Sequence, residues 1–521
     1  MLTFYPVFAA LLVLSLSLWL YKAYVIRNRP PLPPGPPRKF IVGNLFDIPR
    51  ERILPVLTKW KERYGDIVYI EALGSPIVIL NTFESANALL GIRGTNYSHR
   101  PIFTFAGELM GANRSMILMD YGKTWREHRK LTHIALSSEA IKRYYGVQEK
   151  MASMLLVGLL EDPQNFAALF RLAIGRIISA IVYGLNIKSA DEYIVDAETV
   201  NKMTSDAIAL GTHLVDFLPF LKYLPKWTPF ATFHQKADAG RRLIDRMMNQ
   251  PLDHVKEEIA QGHASPSFVS HILTDPETKD NIDSADFQQL LAWTAGMMYA
   301  AGIETTSLVL KTFVLAMTIF PEKQAIAQAE LDRVVGPFRL PNMEDQASLP
   351  YIDALIKEIL RWNVITPLSV PRRTDKDDIY KGHFIPAGTI VLPNVWSMAF
   401  DSSDRATDFM PERFLTPEGP QDPYEYSFGF GRRMCPGQQL ATNSIFIMIA
   451  SVLSVFNISK QRDELGKEIP VHPSFVWDGL VRYVSAFCPS RLAPVYKHLL
   501  QPSRAFQMFL LSSFGCRSRF I

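Results

Sequence analysis

Cys435 is the side chain whose surroundings most clearly prepare it for chemistry. It sits in the run Phe428-Gly429-Phe430-Gly431-Arg432-Arg433-Met434-Cys435-Pro436-Gly437. Gly429 and Gly431 permit a tight turn at positive φ. Pro436 suits the first turn of a helix, where its missing N–H costs nothing, and the apolar run Leu440–Phe456 would bury that helix. The sulfur then lies at a helix N-terminus, where unpaired N–H groups and the positive end of the dipole favour a thiolate. Arg433 brings a cation beside it, able to pair with a carboxylate of a bound group. Two other readings compete. A dinucleotide fingerprint would need a glycine where Met434 stands and a strand before it. A buried structural cysteine is the common fate of a lone thiol, but the turn, the arginine and the Pro-Gly pair favour a ligand.

Three further groups have spacings that share a helix face. In Ala301-Gly302-Ile303-Glu304-Thr305-Thr306, Gly302 would let a helix approach a flat cofactor, Thr305 can hydrogen-bond toward a bound molecule, and Glu304 can relay protons. Trp125 and Arg129 are four apart, and Glu358 and Arg361 are three apart. Taken alone, such pairs are ordinary helix-surface or packing residues.

The elements that must hold these groups are mostly helices. Apolar periodicity predicts them over Arg52–Tyr64, Phe83–Leu90, Lys123–Leu136, Ser138–Leu160, Phe166–Tyr183, Ala190–Val215, Ala237–Gln261, Ser284–Ile319, Pro321–Val335, Tyr351–Trp362 and Pro436–Phe456. Strands are few and local: Ile67–Ala72, Pro76–Asn81 and Thr389–Asn394, with hairpin-like turn residues over Tyr380–Gly388. The fold class is mainly α with small β-sheets. The 521 residues, 48% hydrophobic and 20% charged, can bury a large core around a cofactor. A net charge of +4 with no dense Lys/Arg stripe argues against a nucleic-acid footprint. Three cysteines, Cys435, Cys488 and Cys516, make no paired framework and fit a reducing compartment.

Leu2–Leu20 is apolar, uncharged and long enough for roughly 30 Å of hydrocarbon as a helix. Lys22, Arg27, Arg29, Arg38 and Lys39 follow it and should stay cytoplasmic. The expected organisation is a membrane anchor over 1–26, a proline-rich stiff spacer over 27–37, a catalytic domain over 38–495 and a tail of unassigned role over 496–521. The apolar connection Leu214–Phe230 is a candidate for the membrane interface, with packing beneath a helix pair as its equal alternative. Sequons at Asn96, Asn113 and Asn457 should remain unmodified on a cytosolic body.

The cysteine segment resembles the haem-binding loop of the cytochrome P450 family, whose pattern Phe-x-x-Gly-x-Arg-x-Cys-x-Gly is met by Phe428, Gly431, Arg433, Cys435 and Gly437. Glu358 and Arg361 match the family's Glu-x-x-Arg helix. Pro411-Glu412-Arg413-Phe414 matches the segment that supplies its third member, Arg413. Ala301–Thr306 matches the oxygen-activation element, and Trp125 with Arg129 matches the Trp-x-x-x-Arg element. The resemblance covers roughly Pro33 to Arg491, and the anchor is typical of microsomal, eukaryotic members of fungal type.

That resemblance implies a haem-thiolate monooxygenase of the cytochrome P450 fold, with Cys435 as the iron ligand. It further implies Glu304 and Thr305 as catalytic residues, Trp125 and Arg129 as propionate partners, and Glu358, Arg361 and Arg413 as a structural triad bracing the haem loop. Arg372 stands where many eukaryotic members have a histidine that contacts the haem. No flavin or nicotinamide fingerprint occurs, so the implied electron source is an NADPH-cytochrome P450 reductase in the endoplasmic reticulum membrane, with cytochrome b5 as a second donor. The implied substrate is a lipophilic small molecule, of the kind met in secondary metabolism. Phe103, Phe105, Met110, Met297, Ala301, Ile365, Leu368, Val370 and Leu480 are candidate pocket residues, with core packing as the plain alternative. A haem isomerase or dehydratase is the rival enzyme and a haem or sterol binder the rival non-enzyme; the Glu304-Thr305 pair argues against the first.

Overall fold

A computed structural model describes Ser17 and residues 29–494, apart from 50–52, 186, 209–211, 229–230, 277–283, 401–404 and 486–490. The expected anchor (Ser17 excepted), the tail 496–521, Cys488 and Cys516 lie outside the described residues.

The described helices of twelve residues or more are α1 (Ile53–Tyr64), α2 (Lys123–Leu136), α3 (Tyr145–Glu161), α4 (Phe166–Tyr183), α5 (Ile187–Ile208), α6 (Thr232–Ala260), α7 (Ala285–Ile319), α8 (Pro321–Val334), α9 (Pro350–Trp362) and α10 (Gln438–Val455). Helix α7 is the axis of the molecule. Its buried residues point in every direction, and α2, α4, α5, α6, α9 and α10 all pack against it. An apolar circumference is what a fully enclosed helix needs. Helices α4, α7 and α10 are apolar enough to cross a membrane, yet most of each is buried inside the protein. Their apolarity therefore serves the core.

The strands form a small lobe beside this bundle. β1 (Ile67–Ala72) and β2 (Ser75–Leu80) make an antiparallel hairpin; β6 (Ile390–Pro393) joins β2 in parallel, and β3 (Arg372–Arg373) closes the order β1-β2-β6-β3. Alternation with period two divides its side chains between two cores. Val68, Ile70, Ile77 and Ile79 meet Ile53, Leu54 and Leu57 of α1, while Ile67, Tyr69, Val78 and Leu80 pack on the other side. β4 (Asp378–Tyr380) and β5 (His383–Ile385) form a hairpin that turns through Lys381 and Gly382 at positive φ.

Several expectations need correction. The helix expected over Ser138–Leu160 breaks at Arg143 and Tyr144, and the one expected over Ala190–Val215 ends at Ile208, with a short separate helix at Leu214–Phe217. The first break carries no glycine or proline, so periodicity alone ran through it; Gly211 stands between Ile208 and Leu214 and is a stop signal that the periodicity overran. The pairings of β7 (Phe456–Ser459) with β10 (Arg491–Pro494) and of β8 (Phe475–Trp477) with β9 (Arg482–Val484) had no sequence signal. The proline strip is no free spacer. Pro31 O accepts Phe384 N–H at 2.8 Å and Pro34 O accepts Tyr69 N–H at 2.9 Å. Proline lacks the donor but keeps the acceptor, so the strip can satisfy one side of a strand. It belongs to the β-lobe.

Candidate active site

Helix α10 begins at Gln438 with Gly437 as its N-cap, two residues later than Pro436 would have placed it. Gly429 and Gly431 both lie at positive φ, and a Cβ on Gly431 would run into the carbonyl oxygen of Leu90. The turn closes with Cys435 N–H donating to Phe428 O at 2.8 Å. The Cys435 side chain is open within a recess of about 410 Å³ whose lining includes Arg129, His133, Tyr424 and Gln438. Burial pushes its thiol up, against a backbone N–H from Gly437 and the charge of Arg129. Binding a metal cation is what deprotonates such a thiol. The cation acting on the sulfur is also Arg129, which donates to Met434 O at 2.8 Å, and not Arg433.

Arg433 is spent on the loop frame. Its three guanidinium nitrogens donate to the carbonyls of Ser98, Met116 and Met119 at 2.8–2.9 Å, and it stacks over Trp125. Arg372 is buried and donates to Leu90 O and Phe430 O. A third arginine, Arg100, is equally buried and donates to Ile117, Val370 and Pro371 carbonyls. Burial depresses all three of these arginines, and repulsion adds to it for two: Arg433 and Arg372 act on Arg100, and Arg433 acts on Arg372. Asp120, whose charge bears on Arg433, is already paired with His99 and Arg373. Beside this cluster the buried Trp125 Nε1 has no hydrogen-bond partner. An anion fits such a concentration of donors. Arg100 escaped the sequence reading because nothing in its neighbourhood signals that residues 372 and 433 converge on it.

On α7, Ala301 and Thr305 are open, one turn apart, although most of their neighbours are buried. Thr305 Oγ1 donates back to Ala301 O at 2.9 Å. Gly302 does not face this patch. A side chain there would press on Ile178 of α4, so the glycine admits a neighbouring helix, not a flat cofactor. Glu304 lies on another face, and burial, Asp478 and Glu198 lift its carboxyl to about 7.

Glu358, Arg361 and Arg413 come together as expected. Arg361 grips Glu358 through two hydrogen bonds at 2.7 and 2.8 Å, and Arg413 Nε stands 3.2 Å from the same carboxylate. Their remaining donors hold carbonyls of Ala399, Arg405, Ala406 and Asp408. The triad thus grips the segment before the cysteine loop. Its charges bear on the fully buried Tyr426, two residues before Phe428.

Of the expected pocket residues, Phe103, Met297, Ile365, Val370 and Leu480 are partly buried at the edge of the main core. Met110 packs on Gly240 of α6, and Leu368 belongs to the core under α1. Phe105 stacks on His213 with 3.6 Å between ring centroids. These three are structural.

A cysteine loop braced by a buried ion triad, an open patch on an enclosed helix and a cluster of buried arginines, one of them stacked on an unpartnered indole, define a cysteine-ligated cofactor site. The profile of the cytochrome P450 family matches residues 33–479. The chain is 38% identical to cytochrome P450 monooxygenase COX2 of Coprinopsis cinerea over 445 residues, 84% of each chain. It is 39% identical to cytochrome P450 monooxygenase claR of Ampulloclitocybe clavipes over 462 residues, 87% of this chain and 85% of that one. It is 38% identical to cytochrome P450 monooxygenase ple1 of Rhodocybe pseudopiperita over 475 residues, 89% of this chain and 90% of that one. This chain belongs to the cytochrome P450 family and is an oxidoreductase that incorporates oxygen.

The family implies haem held by a cysteine thiolate, and the site suits it. Cys435 would hold the haem iron through its sulfur, with Phe428, Gly431 and Gly437 shaping its loop. Trp125 Nε1 would supply a free donor, and Arg100, Arg372 and Arg433 the positive charge, for the two propionates. Hydrogen bonds to charged groups contribute roughly 1.5–3 kcal/mol, so Arg100→Met should speed haem loss about tenfold or more. Transfer of haem to an apo-globin acceptor measures this directly; an unchanged transfer rate would remove Arg100 from the site.

Proposed function

We propose that this chain is an endoplasmic-reticulum monooxygenase, anchored by one N-terminal helix, whose catalytic domain faces the cytosol. It inserts one atom of dioxygen into a lipophilic small molecule with electrons from an NADPH-cytochrome P450 reductase, cytochrome b5 being a second donor. The observation that carries this reading is the adjacency along α7 of an open Thr305 and a carboxyl, Glu304, lifted to about 7. Bound haem would supply the redox iron that activates dioxygen. The chain's own part is to hold a proton on Glu304 at neutral pH and release it past Thr305 Oγ1. The half-buried Phe103, Met297, Ile365, Val370 and Leu480 support an apolar substrate.

Exposed apolar side chains support the membrane. Phe40 is 92% exposed and Trp227 83%, with Phe46, Phe220 and Tyr223 also open. Leu45, Ile48 and Phe217 pack into the same core cluster, which brings the segments bearing these side chains to one lobe. Asn96 accepts from Asp375 and Lys376 N–H and donates to Lys376 O, so its amide is already engaged.

The carbon monoxide difference spectrum of purified protein tests the haem-thiolate, and product labelled from ¹⁸O₂ with reductase and NADPH tests the oxygenation. Glu304→Gln should lower that product yield by about a hundredfold, the lower end for a positioned acid. The wild-type rate should hold below pH 7 and fall as pH rises through about 7, because the raised carboxyl serves as an acid only while protonated. Glu304→Gln should remove this limb. A wild-type limb that survives in the variant assigns the proton to another group.

A further inference from the structure

Glu304 is not an isolated carboxyl. It belongs to a polar cluster at the seam of α4, α5 and α7, which is otherwise apolar: Gly175 there is packed by Ile194 and Ile303, and Gly302 by Ile178. Glu198 and Asn201 are three apart on one face of α5, and Glu304 and Lys311 are seven apart on one face of α7. Asn201 Nδ2 donates to Ala300 O at 2.8 Å, which fixes α5 against α7 one turn before Glu304, and the same amide bonds the Glu304 side chain. Arg171 of α4 stands with Nε 2.6 Å from Glu198 Oε1. That contact, an ion pair and a hydrogen bond, favours the ionised Glu198 but is outweighed by burial, which raises its carboxyl. Asp478, in the turn between β8 and β9, also bears on Glu304; its Oδ1 is held by the N–H groups of Leu480 and Val481.

Two cations, Arg171 and Lys311, therefore serve three carboxylates, Glu198, Glu304 and Asp478. A proton retained on one of the carboxylates balances these charges, and the more enclosed of them gains most from holding it. Glu304 is the more enclosed holder. Glu198 is the member nearer solvent, with 29% of its side chain exposed, and Arg171 beside it is 40% exposed. Both carboxylates attract Lys311, which can balance either one when it is ionised.

We propose that Glu198 is the solvent-side station that reloads Glu304 with protons, and that Asn201 positions the receiving carboxylate. In each reload a proton leaves a carboxyl oxygen of Glu198 and joins a carboxylate oxygen of Glu304. Glu198 then regains a proton from water, and no electrons move. This inference rests on the reading of Glu304 as the proton donor. It adds an entry route from the α4/α5 surface, made of residues that no local motif marks.

Infrared spectroscopy on the full-chain holoenzyme tests it without a substrate. The Glu304 carboxyl band is identified by its loss in Glu304→Gln, and its deuteration is followed after transfer to D₂O. Glu198→Gln should slow that exchange about tenfold, as expected for loss of a positioned proton carrier. It should also lower the midpoint pH of the band, because a negative neighbour has gone. Glu198→Asp should restore both, and the carbon monoxide difference spectrum should match wild type in every Glu198 variant. Wild-type exchange in Glu198→Gln overturns the route while leaving Glu304 in place. Undiminished ¹⁸O₂ incorporation in Glu304→Gln instead overturns the reading on which the route depends. A structural ion cluster would lower the melting temperature of Glu198→Gln without slowing exchange, and that result also rejects the proposal.

Discussion

Cys435→Ala should yield a folded protein with no thiolate signature in its carbon monoxide difference spectrum and no oxygenation. The turn that presents Cys435 is made by backbone groups and glycines: Cys435 N–H to Phe428 O, Gly429 and Gly431 at positive φ, and Arg433 clamped on three carbonyls. None of these needs the sulfur. The side chain lies open in its recess and accepts the Gly437 N–H. The apoprotein should therefore melt within about 1 kcal/mol of wild type, the scale of one hydrogen bond. Function should fall much further. Losing even an outer partner of a metal ligand costs about 10–100-fold, so losing the ligand should exceed the upper end. Circular dichroism and thermal melting verify the fold, and the difference spectrum reads the ligand. A thiolate-type spectrum in Cys435→Ala would mean that another residue holds the iron.

The parts of this site legible in the sequence are those built from local chain. The glycine turn, the cysteine and the start of an apolar helix are contiguous, so residue type and order already specify the geometry. Helix α7 was equally plain, because thirty-five residues of mostly apolar chain without proline leave few other structures. The triad was legible only through the family likeness. Glu358 and Arg413 are far apart in the chain, and nothing in helical spacing predicts that Arg413 returns to them.

What escaped detection depends on tertiary approach. Arg100, Arg372 and Arg433 come from three distant segments, and each is an unremarkable arginine where it stands. Gly302 was assigned to the cofactor because its neighbours are; a step of one residue turns a helix by about 100°, which aims it at α4 instead. Met110 and Leu368 are apolar residues beside the site in sequence, and hydrophobicity cannot separate a pocket wall from a core. The proline strip was misjudged because proline was read for its missing donor, while its carbonyls decide where it docks.

Glu358→Ala should be the most destabilising single change in the described chain, and should act on the fold before it acts on chemistry. Glu358 is fully buried, Arg361 is 2% exposed and Arg413 is 9% exposed. The carboxylate takes both hydrogen bonds from Arg361, the ion pair from Arg413 and the N–H of Met410 at 2.7 Å. A buried ion pair adds little net stability over a well-packed apolar substitute, but removing one partner strands the other. Here two guanidinium groups would be stranded, along with a backbone N–H. Breaking such a pair costs about 3–5 kcal/mol, which is a third or more of the stability of many domains. Arg361 would still hold the carbonyls of Ala399, Ala406 and Asp408, so the segment before the cysteine loop should loosen without detaching. Glu358→Gln keeps the shape and one acceptor but not the charge, and should fall between alanine and wild type. Urea unfolding of the two variants, with haem content measured on the same samples, separates the effects: stability should fall in both, and haem should be lost in proportion. Wild-type stability in Glu358→Ala would mean that the two arginines are satisfied by backbone carbonyls alone, and the triad would then be an ornament of the fold and not its brace.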